Sequence, residues 1–260
     1  MCSMLGIKPT VAQTNPTQSV KLGTSTTTAA YADESITDGV TNSNAGMTLS
    51  FWVYPTLTGH DNSQFALITL PNADGGNASL FVGIRDNGNL RVYRQVPQIE
   101  GADFDPLVSN AFPTANTWYH VLLSNTKNQA FKCYINGVEK TGLSSTSNNN
   151  WRFDNLIGIR VGCISSTAFI AKGDQIAQLW LDNADADIAT NLSKFYNNGF
   201  VNMGSDGTAS GLSRPLIYHT GNTTSSPAFH TSGGRTSASS GNYITYNLLD
   251  NDFGTIANGS

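Results

Sequence analysis

Charged residues are scarce in this chain of 260 residues: 12% are Asp, Glu, Lys or Arg, about half the usual share. The formal net charge is −4, and the 14 Lys and Arg residues form no cluster. A basic surface for nucleic acid is therefore excluded. No apolar run reaches the ~18 residues that a membrane-spanning helix needs. We expect neither nucleic acid nor a membrane as a partner.

Cysteine is also scarce, with three in the chain. Cys133 and Cys163 each fall in a predicted strand, where a free buried thiol serves as a small apolar side chain. A Cys133–Cys163 disulfide stays open as an alternative, although a reducing compartment disfavours it. No Cys/His spacing is typical of a zinc site. The N-terminal sequence MCSMLGIKPTVAQ has no secretory signal pattern, so we expect the protein to stay in the cytoplasm unless it leaves within a larger particle.

In place of charges the chain is rich in Ser, Thr, Asn and Gly, which suits short strands joined by many turns. The stretch 117–140, TWYHVLLSNTKNQAFKCYINGVEK, is the clearest case. Its first strand alternates, with Tyr119, Val121 and Leu123 on one face and Trp118, His120 and Leu122 on the other. Both faces carry large apolar groups, so we expect this ribbon to lie between two layers. The pair Asn136-Gly137 predicts a type I′ turn, because both of its central positions need positive φ.

The same alternation predicts strands on both sides of this hairpin. They are Val20–Leu22, Thr48–Tyr54, Phe65–Leu70, Ser79–Arg85, Leu90–Gln95, Leu156–Cys163, Gln175–Leu181, Leu216–His219 and Tyr243–Leu249. In the strand at 175–181, Ile176 and Trp180 are predicted on one side and Ala177, Leu179 and Leu181 on the other. Loops are predicted before Thr48 and over 101–116.

One helix is predicted from about Asp187 to Asn198. Its apolar residues Ile188, Leu192, Phe195 and Tyr196 recur at helical spacing. Asp187 or Thr190 is expected to cap its start, and Gly199 to stop it.

Three ordered segments resemble the laminin-G-like, concanavalin-A-like group. They are the Trp-x-His-Val strand with its Tyr-Ile-Asn-Gly hairpin, MTLSFWVYP at 47–55, and 174–196, where IAQLWLDN precedes the helix. The resemblance spans roughly 19–199 and implies an all-β fold, an antiparallel two-sheet jelly-roll sandwich with one short helix. The domains expected are an extended arm over 1–18, the jelly roll over 19–199, and a strap over 200–260 with a flexible loop at 221–242. The residues expected in the core or at its edge are Phe51, Trp52, Trp118, Val121, Tyr134 and Trp180.

The resemblance also implies an enzymatic alternative, because laminarinase-type glucanases share the jelly roll. Their catalytic strand carries a Glu-x-Asp-x-x-Glu pattern, since retaining hydrolysis needs two carboxylates about 5 Å apart. The three glutamates of this chain, Glu34, Glu100 and Glu139, do not lie in such a pattern. Asp103 and Asp105 are interpreted as loop residues, and the aspartates at 182, 185 and 187 as residues that precede and cap the helix. The four histidines, His60, His120, His219 and His230, are scattered, and none neighbours a nucleophile motif. His120 is interpreted as structural. We expect no enzymatic activity.

Binding is harder to exclude. Relatives in this group hold calcium through loop oxygens and sugars through exposed aromatic rings. Asp61, Asn62 and Asp74 are loop residues of the first kind, and Trp151 follows a polar loop. Turn formation and core packing explain the same residues. We therefore expect no metal and no cofactor, and a glycan stays open as a ligand without an assigned site.

The segment 179–218 resembles a C-terminal pattern in structural proteins of tailed bacteriophages. The pieces that carry this resemblance are LWLDN, SKFYNNG, VNMGSDGTASG and RPLIYHT, with a Gly-x-Asp-Gly turn. A phage protein leaves its host by lysis and needs no signal peptide. The first hypothesis is therefore a non-enzymatic virion structural protein, a capsid decoration protein that binds the major capsid protein. The alternative is a carbohydrate-binding adhesin on a head or tail fibre that recognises host-surface glycan.

The N-terminal arm is the predicted docking element for the capsid or another partner. Its apolar residues Met1, Met4, Leu5 and Ile7 have no evident position in the sandwich. Such an arm can add a strand to an exposed sheet edge. A homotrimer is expected, because a capsid lattice offers local three-fold positions. A disordered leader is the alternative interpretation of the arm.

Overall fold

The structure is a computed structural model, which describes part of the chain. The described residues are 14–16, 19–21, 32–35, 47–57, 65–70, 80–85, 87–93, 107–125, 132–141, 158–162, 174–182, 187–204, 206–219 and 245–246. They form fourteen strands and one helix. In chain order these are β1 Val20–Lys21, β2 Ala32–Ser35, β3 Met47–Tyr54, β4 Phe65–Leu70, β5 Leu80–Ile84, β6 Leu90–Tyr93, β7 Leu107–Val108, β8 Tyr119–Asn125, β9 Lys132–Ile135, β10 Val138–Glu139, β11 Gly158–Val161, β12 Gln175–Asp182, α1 Ile188–Phe195, β13 Ile217–His219 and β14 Thr245–Tyr246.

The strands of these ranges form two sheets of seven, and every pair is antiparallel. The front sheet has the order β1-β12-β3-β8-β9-β10, with β13 also paired to β12. The back sheet has the order β14-β2-β11-β4-β5-β6-β7. The two sheets pack face to face, so the predicted all-β jelly-roll sandwich is confirmed.

The inner core lies between the two sheets and is mainly aliphatic. The front sheet contributes Met47, Leu49, Phe51, Val53, Tyr119, Val121, Leu123, Cys133, Ile135, Ile176, Leu179, Leu181 and Ile217. The back sheet contributes Leu67, Ile68, Leu70, Val82, Ile84, Leu90, Val92, Val108, Ile159 and Val161. Cys133 is a free buried thiol, as predicted, and burial raises its pKa to about 12. Cys163 lies outside the described residues.

A second layer covers the outer face of the front sheet. Helix α1 and the strap, defined here as residues 200–204 and 206–215, pack on that face. The outer layer that they bury contains Leu122, Tyr134, Trp180, Ile188, Phe195, Met203 and Tyr218, with Trp52, Trp118 and Ala177 in an adjacent cluster. The predicted ribbon with two covered faces is therefore confirmed. All six residues expected in the core or at its edge are buried, two in the inner core and four in the outer layer.

A β-bulge in β12 makes two side assignments wrong, those of Ile176 and Ala177. The register against β3 shifts between Ala177 and Trp180, and Gln178 has a φ of 45°. Strict alternation would place Ile176 on the same face as Trp180. The extra residue instead sends Ile176 into the inner core and leaves Ala177 and Trp180 on the outer face. Gln178 itself is buried and donates through Nε2 to the Val201 carbonyl of the strap at 2.9 Å.

Two short strands lie where loops were predicted. Strand β2 has the sequence ADES, which offers no apolar alternation, and backbone pairing to β11 and β14 forms it. Strand β7 has two residues and pairs with β6. Backbone pairing with a neighbouring strand forms both, and neither has apolar alternation in its own sequence. This explains why the sequence did not indicate them.

The helix is shorter than predicted and ends at Phe195. Tyr196 is extended, with a φ of −146°, and its N–H donates to the Leu192 carbonyl. Asp187 occupies the cap position as expected, but its side chain makes no capping bond to the helix backbone and instead accepts from Thr190 Oγ1 at 2.7 Å. Gly199 is not the stop, because the chain has left the helix three residues earlier. In the described part of the chain no helix is long and apolar enough to span a membrane.

Candidate functional site

Most residues that the sequence singled out for binding or catalysis fall outside the described ranges. These are Met1, Met4, Leu5, Ile7, His60, Asp61, Asn62, Asp74, Glu100, Asp103, Asp105, Trp151, Asp185 and His230. Among those described, Glu139 and Asp187 are exposed, whereas His120, Asp182 and His219 are buried. The described residues contain no group of three His, Cys, Asp or Glu side chains that could hold a metal ion.

The structure instead presents an open groove between the β9–β10 turn and helix α1. Its volume is about 440 Å³. One wall is the turn at 136–138, and the other is the exposed side of α1 with the residues that follow it. The lining is Asn136, Gly137, Val138, Ala189, Thr190, Leu192, Ser193, Tyr196, Asn197 and Asn198.

The turn wall is fixed by its own backbone and by Tyr196. Asn136 and Gly137 have φ values of 49° and 73°, as the predicted type I′ turn requires. Asn136 N donates to the His120 carbonyl at 2.9 Å, and Asn136 Oδ1 accepts from His120 N at 2.8 Å. A Cβ on Gly137 would lie 2.7 Å from Tyr196 Cδ1, so glycine lets the turn rest against the ring. This wall is therefore held in place before any ligand arrives.

Beneath the groove, Tyr196 caps a buried aromatic cluster. Its ring stacks on His120 with centroids 5.5 Å apart and lies 5.9 Å from Trp52. Ser50 Oγ and His120 Nε2 share a hydrogen bond of 2.8 Å. Trp52 Nε1 and His120 Nδ1 have no hydrogen-bond partner in the described part of the chain. The rings of His120 and Trp52 thus form a packed surface under Tyr196.

The cluster is electrically neutral near neutral pH. Burial lowers the pKa of His120 to about 3, so the imidazole is uncharged there. Burial also raises the pKa of the Tyr196 phenol, which therefore stays protonated. The interpretation of His120 as a structural residue agrees with this position under Tyr196.

The lining offers mainly neutral polar groups. It has no carboxylate, imidazole, thiol or cation; its polar side chains are three amides, two small hydroxyls and the phenol of Tyr196. Such groups suit the binding of a ligand by hydrogen bonds. The sequence did not indicate the groove. Two of its signals have other interpretations in the sequence: Asn136-Gly137 predicts a turn, and Tyr196-Asn197-Asn198 belongs to the family pattern SKFYNNG.

The strap is anchored through the Gly-x-Asp-Gly turn, on the same outer face. Trp180 Nε1 donates to the Gly207 carbonyl at 3.2 Å, and Tyr218 Oη donates to the Gly204 carbonyl at 3.1 Å. Asp206 Oδ1 accepts from both N and Oγ1 of Thr208, at 3.1 and 2.7 Å, which lowers the pKa of its carboxyl. The segment that resembles phage structural proteins is thus bound to the sheet at defined points.

A family model described as the concanavalin A-like lectin/glucanases superfamily matches residues 24–177. No curated protein sequence matches this chain. Among solved structures, similar folds include a heptameric SAP-like pentraxin from Limulus polyphemus, with 11% identity, a TM-score of 0.48, and coverage of 71% of this chain and 86% of that one. A putative carbohydrate binding protein from Bacteroides ovatus has 14% identity and a TM-score of 0.47, covering 81% and 53%. The botulinum neurotoxin serotype D binding domain has 17% identity and a TM-score of 0.46, covering 64% and 38%. At these sequence identities and TM-scores, the similarities to solved structures give no information about function.

Proposed function

We propose that this chain, which belongs to the concanavalin A-like lectin/glucanases superfamily, is a non-enzymatic structural protein of a phage virion, a decoration protein that binds the major capsid protein. The observation that carries the proposal is the strap, whose sequence resembles phage structural proteins. Its Gly204–Gly207 turn accepts hydrogen bonds from Trp180 and Tyr218 of the front sheet. A jelly roll with such an anchored cover is a compact module suited to dense packing on a particle.

Copy number tests this proposal directly. Mass spectrometry of purified particles should find the protein in hundreds of copies per virion, as a capsid lattice requires, whereas a fibre tip would contain only a few. Purified protein should also bind capsids that lack it. If the protein is absent from particles and does not bind such capsids, the proposal is wrong.

The absence of enzymatic activity is a separate part of the proposal. The groove lining holds no carboxylate, and Glu139 is exposed on the edge strand β10. We expect no hydrolysis of β-glucan, because retaining hydrolysis needs two carboxylates about 5 Å apart. Turnover that disappears in the Glu100→Gln or Asp105→Asn variant would contradict this expectation.

The arm and the trimer also remain proposals. The described residues 14–16 contact the body: Phe200 N donates to the Thr14 carbonyl at 2.7 Å, and a Cβ on Gly199 would lie 2.4 Å from Thr14 Oγ1. Deletion of residues 1–13 spares this contact and removes Met1, Met4, Leu5 and Ile7. We expect the truncated protein to stay folded but to lose trimer formation or capsid binding, measured by analytical ultracentrifugation and co-sedimentation. Unchanged trimers that still coat capsids would contradict the role of the arm.

A second candidate function, recognition of host-surface glycan, is favoured by the groove. Its walls are fixed and its polar groups are amides and hydroxyls, as in many small-molecule sites. Binding of the intact protein to any member of a broad glycan array is the test. The two functions are compatible, since a decoration protein can also bind sugar.

A further inference from the structure

The chemistry of the groove identifies a ligand class, and this inference rests on the second candidate function. We infer that the groove between the β9–β10 turn and α1 binds an uncharged saccharide without a metal ion.

The lining is uncharged on every side. None of its ten residues is Asp, Glu, Lys, Arg or His. An acidic sugar or a phosphorylated group would lose part of its hydration in the groove and would find no cationic side chain in the lining. Removing a charge from water without such a partner is unfavourable. The amides of Asn136, Asn197 and Asn198 and the hydroxyl of Ser193 both donate and accept hydrogen bonds. Thr190 Oγ1 donates to Asp187 Oδ2 and can still accept a hydrogen bond. These groups match sugar hydroxyls, which both donate and accept.

The groove also has an apolar surface that suits the C–H face of a sugar ring. Val138 is 62% exposed at the tip of the turn, and Leu192 is partly buried on the facing helix. A single exposed valine is ordinary on a protein surface. Here Val138 lies in the same concavity as Leu192 and the ring of Tyr196. A ligand that carries hydroxyls on its edge and C–H groups on its faces contacts both kinds of lining.

The turn wall is rigid, which lowers the entropy that binding costs. Asn136 is held by two hydrogen bonds to His120, and Gly137 is pressed against Tyr196. The volume of about 440 Å³ lies within the range of small-molecule sites, about 300–1,000 Å³. No carboxylate lines the groove, so a calcium ion there would lack the charged ligands that calcium sites use, and we expect binding not to need it.

The test compares two matched Ser→Tyr variants on an array of neutral, sialylated and sulfated glycans. Ser193 lines the groove and is exposed, so Ser193→Tyr fills the site without changing the core. Ser213 is exposed on the strap and does not line the groove, so Ser213→Tyr is the control. Wild type and control should bind neutral glycans equally, with and without EDTA. Ser193→Tyr should weaken this binding by about tenfold or more, read as a ratio of Kd values.

Each outcome has a defined meaning. If the wild type binds no glycan, glycan recognition itself fails. If Ser193→Tyr binds neutral glycan as well as the wild type does, the groove is not the site, although glycan recognition stands. A preference for acidic glycans, or loss of binding in EDTA, overturns the ligand class. Asn197→Ala gives a second measurement of the groove if Ser193→Tyr fails to fold, judged by circular dichroism.

Discussion

The two faces of the front sheet are both buried, yet they are built differently. The inner face packs aliphatic and aromatic side chains against the back sheet, and every residue that β3 sends there is apolar. The outer face mixes large aromatics with polar groups: Ser50 and His120 share a hydrogen bond, and Trp180 and Tyr218 donate to strap carbonyls. The inner face therefore needs only apolar alternation, whereas the outer face needs particular donors, acceptors and glycines.

This difference explains where the groove lies. Apolar burial is non-directional, and apolar side chains of both sheets fill the inner core. Hydrogen bonds and close backbone approaches hold α1 and the strap at fixed points. The β9–β10 turn meets Tyr196 just after the helix, and the groove lies between this turn and the exposed side of α1. The candidate site is thus a product of the directional contacts on the outer face.

The largest expected effect is that of truncating one aromatic side chain on each face. Phe51→Ala removes a fully buried inner-face ring, and Trp180→Ala removes a ring that is 2% exposed on the outer face. Each should lower the free energy of unfolding by about 3–5 kcal/mol, measured by urea denaturation. A cost for Trp180→Ala far below that for Phe51→Ala would mean that the outer layer is not part of the cooperative fold.

Glycine substitutions in the strap should have the next largest effect. Gly207 has a φ of 83°, and its Cβ would lie 3.0 Å from Pro215 and from Trp180 Cδ1. Gly211 has the same φ, but its Cβ would meet only Lys194 at 3.9 Å. Gly207→Ala should therefore cost about 1–3 kcal/mol and expose the strap to protease, and Gly211→Ala should cost less. Equal costs would show that the close approach to Trp180 is unimportant.

Removing one hydroxyl from each face sharpens the comparison further. Tyr218→Phe breaks the bond to the Gly204 carbonyl, and Tyr119→Phe breaks the bonds of Tyr119 Oη with Thr114 N and O, at 3.0 and 3.2 Å. Each should cost about 0.5–1.5 kcal/mol. Hydrogen exchange should increase in the strap for the first variant and around residue 114 for the second. Faster exchange in the strap of Tyr119→Phe would contradict the separation of the two faces.

The smallest expected effect is a pH dependence confined to the strap. Hydrogen bonds from Thr208 hold the pKa of Asp206 below its ordinary value of 3.8. The stabilisation is therefore present above that value and is lost as the pH falls through the lower pKa of the folded state. Proteolysis of the strap should become faster below about pH 4, and Asp206→Asn should remove this dependence. A wild-type strap whose cleavage does not change with acidification would contradict the role of this carboxylate.

Local chemistry made much of the fold predictable. The alternation of β3 and β8 places their side chains on the correct faces, because successive side chains of a strand point to opposite sides. The Asn136-Gly137 turn followed from the φ values that these two residues tolerate. The segment MTLSFWVYP and the hairpin also carried the family resemblance, which the match over 24–177 supports.

The sequence by itself determined the two-faced ribbon, the type I′ turn and the apolar residues of the sandwich, since each depends on a residue and its near neighbours. Only the tertiary structure decided the bulge at Gln178, the pairing that makes β2 a strand, the end of the helix at Phe195 and the groove. The side chain of Gln178 donates to the Val201 carbonyl, and Tyr196 leaves the helix where it stacks on His120. These partners are distant in the sequence and meet only after the chain has folded.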